Sequence, residues 1–254
     1  MNLTLEAGTL VALLMGTARA AGFVIICPPF SSKSIPGPAR AAFSLLLAVT
    51  VLPTLKGQIP EVTVGFLVTT AATEVAIGAA MGFLIAILFT AVQLAGDLID
   101  VSGGFALQPS FDPLSLTMNS SVGRLHYLIA TTLLFTSGGH LMIIRGFVQS
   151  YEGLPLGAVF PSGHLGPMLV SAVSVMFLSA MQIAGPMLAV LFLSDVALAL
   201  LAKAAPALNV FAVGIPLKLT VAITLLALTI PLLPVAVDAL LTRGVSGMLH
   251  LGAG

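Results

Sequence analysis

Val62-Thr-Val-Gly-Phe-Leu-Val-Thr-Thr-Ala-Ala-Thr-Glu74-Val-Ala-Ile-Gly78-Ala-Ala-Met-Gly82-Phe-Leu-Ile-Ala-Ile-Leu-Phe-Thr-Ala-Val-Gln-Leu-Ala95 contains one ionisable residue, Glu74, in 34 positions. At 1.5 Å per residue, a helix over this stretch is about 51 Å long, well beyond the roughly 30 Å of bilayer hydrocarbon. It must tilt strongly, break, or extend out of the membrane. The rest of the chain offers no soluble core to receive it. Only 7% of the 254 residues are Asp, Glu, Lys or Arg, and 58% are hydrophobic, whereas soluble domains carry about 25% charged residues. Mean hydropathy is +1.16. A chain of this size cannot enclose so much apolar surface, so the composition predicts an all-α, multi-helix protein of the membrane.

Working outward, residues Thr9 to Cys27 are apolar apart from Arg19 and close at Pro28-Pro29. They read as a retained membrane helix rather than a cleaved signal, because the start lacks basic residues. A second window runs from Arg40 to Leu55, with Pro53 near its end. After the long third stretch comes a polar interval from Asp97 to Arg124. An apolar helix is predicted from Leu125 to Val148, followed by a Gly/Pro-rich connection from Ser150 to Pro167. Met168 to Leu201 is again too long for one perpendicular span, and Pro186 should bend it by removing a backbone donor. The last window, Ile215 to Leu241, holds Pro216, Pro231 and Pro234.

Basic residues in the connections barely orient this arrangement. One side collects Lys33, Arg40, Arg124, Lys203 and Lys218, the other Lys56, Arg145 and Arg243. Overlong apolar stretches with so weak an orientation signal predict that packing partners, rather than lipid alone, cover much of the surface. Small residues recur every fourth position at Gly8, Ala12, Gly16 and Ala20, and again at Ala72, Ala76 and Ala80 beside Gly78, Gly82 and Ala86. Such rows let helix backbones approach closely, which is where dispersion contacts come from in lipid.

The composition excludes several functions. Nine basic and nine acidic residues cancel without clustering, so a nucleic-acid surface is absent. Cys27 is alone and cannot form an internal disulfide. His126, His140, His164 and His250 show neither zinc-ligand spacing nor a His-Glu-x-x-His pattern. No Gly-x-Ser-x-Gly elbow occurs, and Gly103-Gly104 lacks the Lys-Ser/Thr of a phosphate loop. The expectation is no enzymatic activity, no metal and no cofactor. Gly138-Gly139-His140 reads as a helix break with an interfacial His.

Ionisable groups inside apolar stretches are costly and point to function or pairing. They are Glu74, Asp195, and Asp97 with Asp100, which lie three apart and share a face if helical. Two readings stay open for these acids. They form interhelical pairs, or they relay protons in a small secondary transporter; the relay lacks a matching acid or His in the other half of the chain. The segment Ser102-Gly-Gly-Phe-Ala-Leu-Gln-Pro-Ser-Phe-Asp112-Pro-Leu-Ser-Leu-Thr-Met-Asn-Ser-Ser121 is a loop whose glycines and prolines forbid continuous helix, yet Phe105, Leu107, Phe111 and Met118 make it greasy. It fits a pore constriction or plug, or a loop folded back onto its own helices.

The run from Pro186 through Leu191-Phe192, Asp195, Lys203, Pro206, Asn209, Phe211 and Gly214 to Pro216-Leu-Lys218 resembles the signature of the FliR/SctT family of type III secretion export-apparatus proteins. The likeness extends through Pro36, Pro38 and Arg40, Glu74-xxx-Gly78-xxx-Gly82-Phe83, Ala95-Gly96-xx-Ile99-Asp100 and Asp112-Pro113. Length and the Asp112 to Asn119 loop look more like the flagellar branch than the injectisome one. Lys203 stands where Arg is common, which puts any bidentate pairing there in doubt.

The resemblance implies a multi-pass subunit of a helical hetero-oligomeric export gate in the bacterial inner membrane, at the flagellar basal body. It implies FliP-like and FliQ-like sister subunits, FlhB-like and FlhA-like components, and exported flagellar proteins as passengers. Residues 1–167 would be a FliP-like part and 168–254 a FliQ-like helical hairpin. The segment 103–121 would be the plug loop, with Gly103, Gly104, Phe105, Leu107, Pro109, Phe111, Asp112, Pro113, Met118 and Asn119 as its expected working residues. Glu74, Asp97, Asp100, Asp195, Lys203, Asn209 and Lys218 are the expected polar contacts between helices or subunits, and Gly16, Gly78 and Gly82 the expected packing positions.

Overall fold

A computed structural model describes residues 7–32, 34–55, 63–105, 120–158, 162–207 and 209–251. Among these the regular structure is entirely helical. Helix α1 spans Ala7–Ile26 and stops before Pro28, which has no backbone N–H to continue it. Helix α2, Gly37–Leu55, places Pro38 in its first turn, where a missing N–H costs nothing.

Helix α3 runs unbroken from Val64 to Gly103, 40 residues or about 60 Å. The third apolar stretch therefore does not break, and it continues through Asp97 and Asp100, which sequence reasoning had assigned to a polar interval. It contains no proline, and it ends where Gly104 takes a φ of 84°, a left-handed conformation that only glycine adopts without strain.

The helix expected over Leu125 to Val148 is two helices, α4 at Ser121–Thr136 and α5 at Gly139–Gly153, bent by 73°. The physical reason is Gly138, whose φ of 75° turns the chain between them. Helix α6, Ser162–Ala204, is 43 residues long and begins inside the expected Ser150 to Pro167 connection. It stays helical through Pro186. The last window also divides. Helix α7 covers Val210–Thr229, a 3₁₀ turn holding Pro231 covers Ile230–Leu232, and α8 covers Leu233–His250 with Pro234 in its first turn. Among the described residues, five helical segments are long and apolar enough to cross a membrane, or six if the bent α4–α5 pair is one span.

The chain forms two compact units, interleaved in sequence. The first takes residues up to Leu88, Ser137–Ala172 and the chain from Leu240 onward. Here α1 crosses α3 at contact distance: a Cβ at Gly78 would overlap the Arg19 carbonyl, and one at Gly82 would lie 2.8 Å from the Phe23 carbonyl. Gly16 meets α2 at Ala48 and Leu55 in the same way, at 3.4 and 3.3 Å. Phe23 packs on Phe147 of α5 at 5.0 Å between ring centroids, and Phe147 stands edge-on to Tyr151. The end of α8 closes the unit, with Gly244 against Ile85 and Leu88 of α3.

The second unit takes Phe89–Thr136 and Val173–Ala239. Its core is Ala95, Ile99, Val122, Ala180, Ala184 and Met187, with Phe105, Leu225 and Leu226 packed against it.

Candidate functional site

Three polar sites stand out among the described residues, and each follows from the cost of an unpaired charge in apolar surroundings. The most enclosed is in the first unit. Arg19 and Glu74, the isolated charges of α1 and of the long apolar stretch, are both 0% exposed and form an ion pair through Arg19 Nε and Glu74 Oε2. The remaining valences are also used. Arg19 Nη2 donates to the Leu154 carbonyl at 2.8 Å and Nη1 to Ser150 Oγ at 3.4 Å, while the guanidinium lies 3.9 Å over the Tyr151 ring. Glu74 Oε1 accepts the Gly157 N–H at 3.3 Å. Ser150 Oγ in turn donates to the Phe147 carbonyl at 2.7 Å.

The second site is the foot of the polar loop. Asp97 and Asp100 share the face of α3 that meets the first turn of α4. Asp100 Oδ1 accepts the Val122 N–H at 3.2 Å, and Ser120 Oγ accepts the Gly123 N–H at 2.8 Å, so two of the free amides at the start of α4 are satisfied. Carboxylates there also complement the positive end of the α4 dipole. The helices touch backbone to backbone: a Cβ at Gly96 would lie 2.6 Å from Gly123 Cα, and one at Gly123 would overlap Asp97 Oδ1. That Asp97 oxygen is buried and accepts no hydrogen bond from the described residues. Gly103 ends α3 with its α-carbon turned to the Phe105 ring and to Ala222, and Phe105 packs on the core of the second unit. Leu107, Pro109, Phe111, Asp112, Pro113, Met118 and Asn119 lie outside the described residues.

The third site joins α6 to α7. Lys218 Nζ donates to both oxygens of Asp195 at 2.7 and 2.9 Å, with the Lys218 side chain 20% and the Asp195 side chain 51% exposed. Asp195 therefore pairs across the hairpin with Lys218, not along α6 with Lys203, which shares only its helix. Lys203 is exposed in the last turn of α6, where a cation complements the helix dipole. Asn209 is the cap of α7, its Oδ1 accepting the Ala212 N–H at 3.3 Å.

Sequence reasoning named Glu74 but not its partner. Arg19 carried a signal, since a lone Arg in an apolar window must find an acid. Ser150, Tyr151, Leu154 and Gly157 carried none, because their role depends on where α5 ends. Among the described residues no cluster of three or more His, Cys, Asp and Glu is placed to hold a metal. The three sites hold helices and connections in place; none presents an activated nucleophile.

These features define a class: an all-helical membrane protein whose few charges join helices to one another. Residues 10–244 match the family of bacterial export proteins, family 1. The chain is 30% identical over 172 residues to the flagellar biosynthetic protein FliR of Escherichia coli, covering 68% of this chain and 66% of that one, just under two thirds. It is 28% identical over 182 residues to the FliR of Bacillus subtilis, covering 70% of each. It also shares 28% identity over 177 residues with the surface presentation of antigens protein SpaR of Salmonella typhimurium, over 69% of this chain and 66% of that protein. The chain belongs to the bacterial export proteins, family 1.

Proposed function

We propose that this protein is a subunit of a type III protein export gate of the flagellar kind, lining the channel and supplying its closing plug from segment 103–121. The observation that carries the reading is the family match across residues 10–244, with flagellar biosynthetic proteins among its relatives. In the proposal the chain sits in the inner membrane at the flagellar basal body. FliP-like and FliQ-like subunits flank it, FlhB-like and FlhA-like components adjoin it, and residues 1–167 and 168–254 resemble those two sisters in turn. It acts by changing shape, without enzymatic chemistry, metal or cofactor.

The fold supports this in two ways. Apolar residues such as Phe177, Phe192, Leu193 and Leu200 are more than half exposed along α6, a surface suited to sister helices. At the foot of the loop, the Gly96–Gly123 contact and the Asp100 and Ser120 caps fix the end of α3 and the start of α4, between which the proposed plug segment runs. A dewetted constriction of apolar side chains blocks ions. The secondary-transporter reading is less well supported, because Glu74 is closed inside a satisfied ion pair with no exposed face.

Deleting Ser110 to Thr117 should leave the chain in the membrane at its normal level and make that membrane leaky to small ions. An unchanged conductance in cells carrying the deletion contradicts the plug role.

A further inference from the structure

The Arg19–Glu74 pair is joined to more than itself. Between α5 and α6 the chain runs from Leu154 through a tight turn in which the Ala158 N–H donates to the Pro155 carbonyl. Gly157 takes a φ of 77° there. This connection is not helical, so the Leu154 carbonyl and the Gly157 amide have no partner one turn away within a helix. Leu154 is nevertheless buried, at 7% exposure. A buried peptide group without a partner costs about 1–3 kcal/mol.

The two charges answer those two groups, one each. Arg19 Nη2 donates to the Leu154 carbonyl and Glu74 Oε1 accepts from the Gly157 amide, while Nε and Oε2 close the ion pair between them. An apolar pair of similar size would fill the space and leave the buried Leu154 carbonyl unanswered, while the exposed Gly157 amide would lose its fixed partner. This gives a reason for charges at a place where charges are expensive, since a buried ion pair is by itself weak evidence for stability. The fork of Arg is needed as well: a Lys at position 19 reaches Glu74 or Leu154, but its point charge cannot hold both in one plane.

We propose that Arg19 and Glu74 are positioning residues that act as a two-ended strap on the α5–α6 connection, fixing residues 154–158. The proposal rests on the packing of the first unit alone and stands apart from the export reading. The strap makes the connection as slow to open as the helices beside it, although it is a loop. Local opening of this kind is read by amide hydrogen exchange.

The test is exchange on the full chain, solubilised from the membrane with its co-purifying proteins, in three forms: the native sequence, Arg19→Lys, and Arg19→Met with Glu74→Leu. The double variant removes both charges together, so it carries no orphaned charge and stays folded. In the native chain the 154–158 peptide should exchange as slowly as the end of α5. Arg19→Lys should speed it by about ten-fold, the loss of one charge-assisted hydrogen bond, and the double variant should speed it further. Peptides of α1 and α3 should keep their protection throughout. Equal exchange of 154–158 in all three forms overturns the strap. Acceleration of α1, α3 and the connection in step also overturns it, because the pair would then serve global stability alone.

Discussion

Helices α3 and α6 are near twins in length, 40 and 43 residues, and both are predominantly apolar. Yet 61% of the apolar window of α3 is buried within the chain, against 17% for α6. The difference lies in where each helix is narrow and where its charge goes. On α3, Gly78, Gly82 and Gly96 sit where a Cβ would strike a neighbouring backbone, whereas a Cβ at Gly185 of α6 meets open space. Glu74 of α3 is wholly enclosed with Arg19, whereas Asp195 of α6 is half exposed beside Lys218. Apolarity states that a surface avoids water. The small residues and the enclosed charge state that it is buried in this chain; the exposed pair states that it is not.

The largest way to break this contrast is at Arg19. Arg19→Ala or Glu74→Ala leaves one charge buried without its partner and should cost about 3–5 kcal/mol, read as loss of the protein from membranes and a collapse of its thermal midpoint. The charge-free Arg19→Met, Glu74→Leu variant should recover most of the level. Single variants as abundant as the native chain would mean that neither charge is trapped in the interior when its partner is removed.

The glycines sharpen it next. Gly78→Ala forces α1 away from α3 and should destabilise by about 1–3 kcal/mol. Gly185→Ala should stabilise the isolated chain by up to about 1 kcal/mol through helix propensity. If Gly185→Ala leaves the isolated chain intact and still weakens its association with other proteins, a partner helix crosses at that position. Thermal melts of the chain alone, set beside co-purification yields, separate the two effects.

The smallest effect on the chain itself belongs to Asp195→Asn. A partly exposed ion pair contributes roughly 0–1 kcal/mol, so the fold should hold while co-purification of partners falls. A drop in the melting temperature as large as that of Gly78→Ala would place Asp195 inside the chain's own core and erase the distinction between α3 and α6.

Much of this was legible beforehand. Composition alone gave an all-helical membrane protein, Pro28-Pro29 marked the end of α1, and Gly138-Gly139 marked a break even where the apolar window read as continuous. The rows of small residues marked close-packing faces, since spacing by four is a property of sequence, but not their partners: Gly16 meets α2, while Gly78 and Gly82 meet α1. What escaped is what depends on three-dimensional neighbours. Asp97 and Asp100 open the polar interval of the sequence because charges interrupt hydropathy, yet they lie within α3, where Asp100 accepts an amide from the start of α4. Nothing in the sequence pairs Asp195 with Lys218, which the hairpin brings alongside it on α7. Tyr151 and Leu154 were invisible as partners of Arg19, because nothing in a helical periodicity says where a neighbouring helix stops.

The central claim is that the open face of α6 is covered by sister subunits rather than by acyl chains. It is tested most directly by photo-crosslinking in intact cells from an unnatural amino acid placed at Phe192, which is 65% exposed. The account predicts discrete heavier bands containing a second protein. A chain that migrates as a monomer bearing only lipid adducts would contradict it.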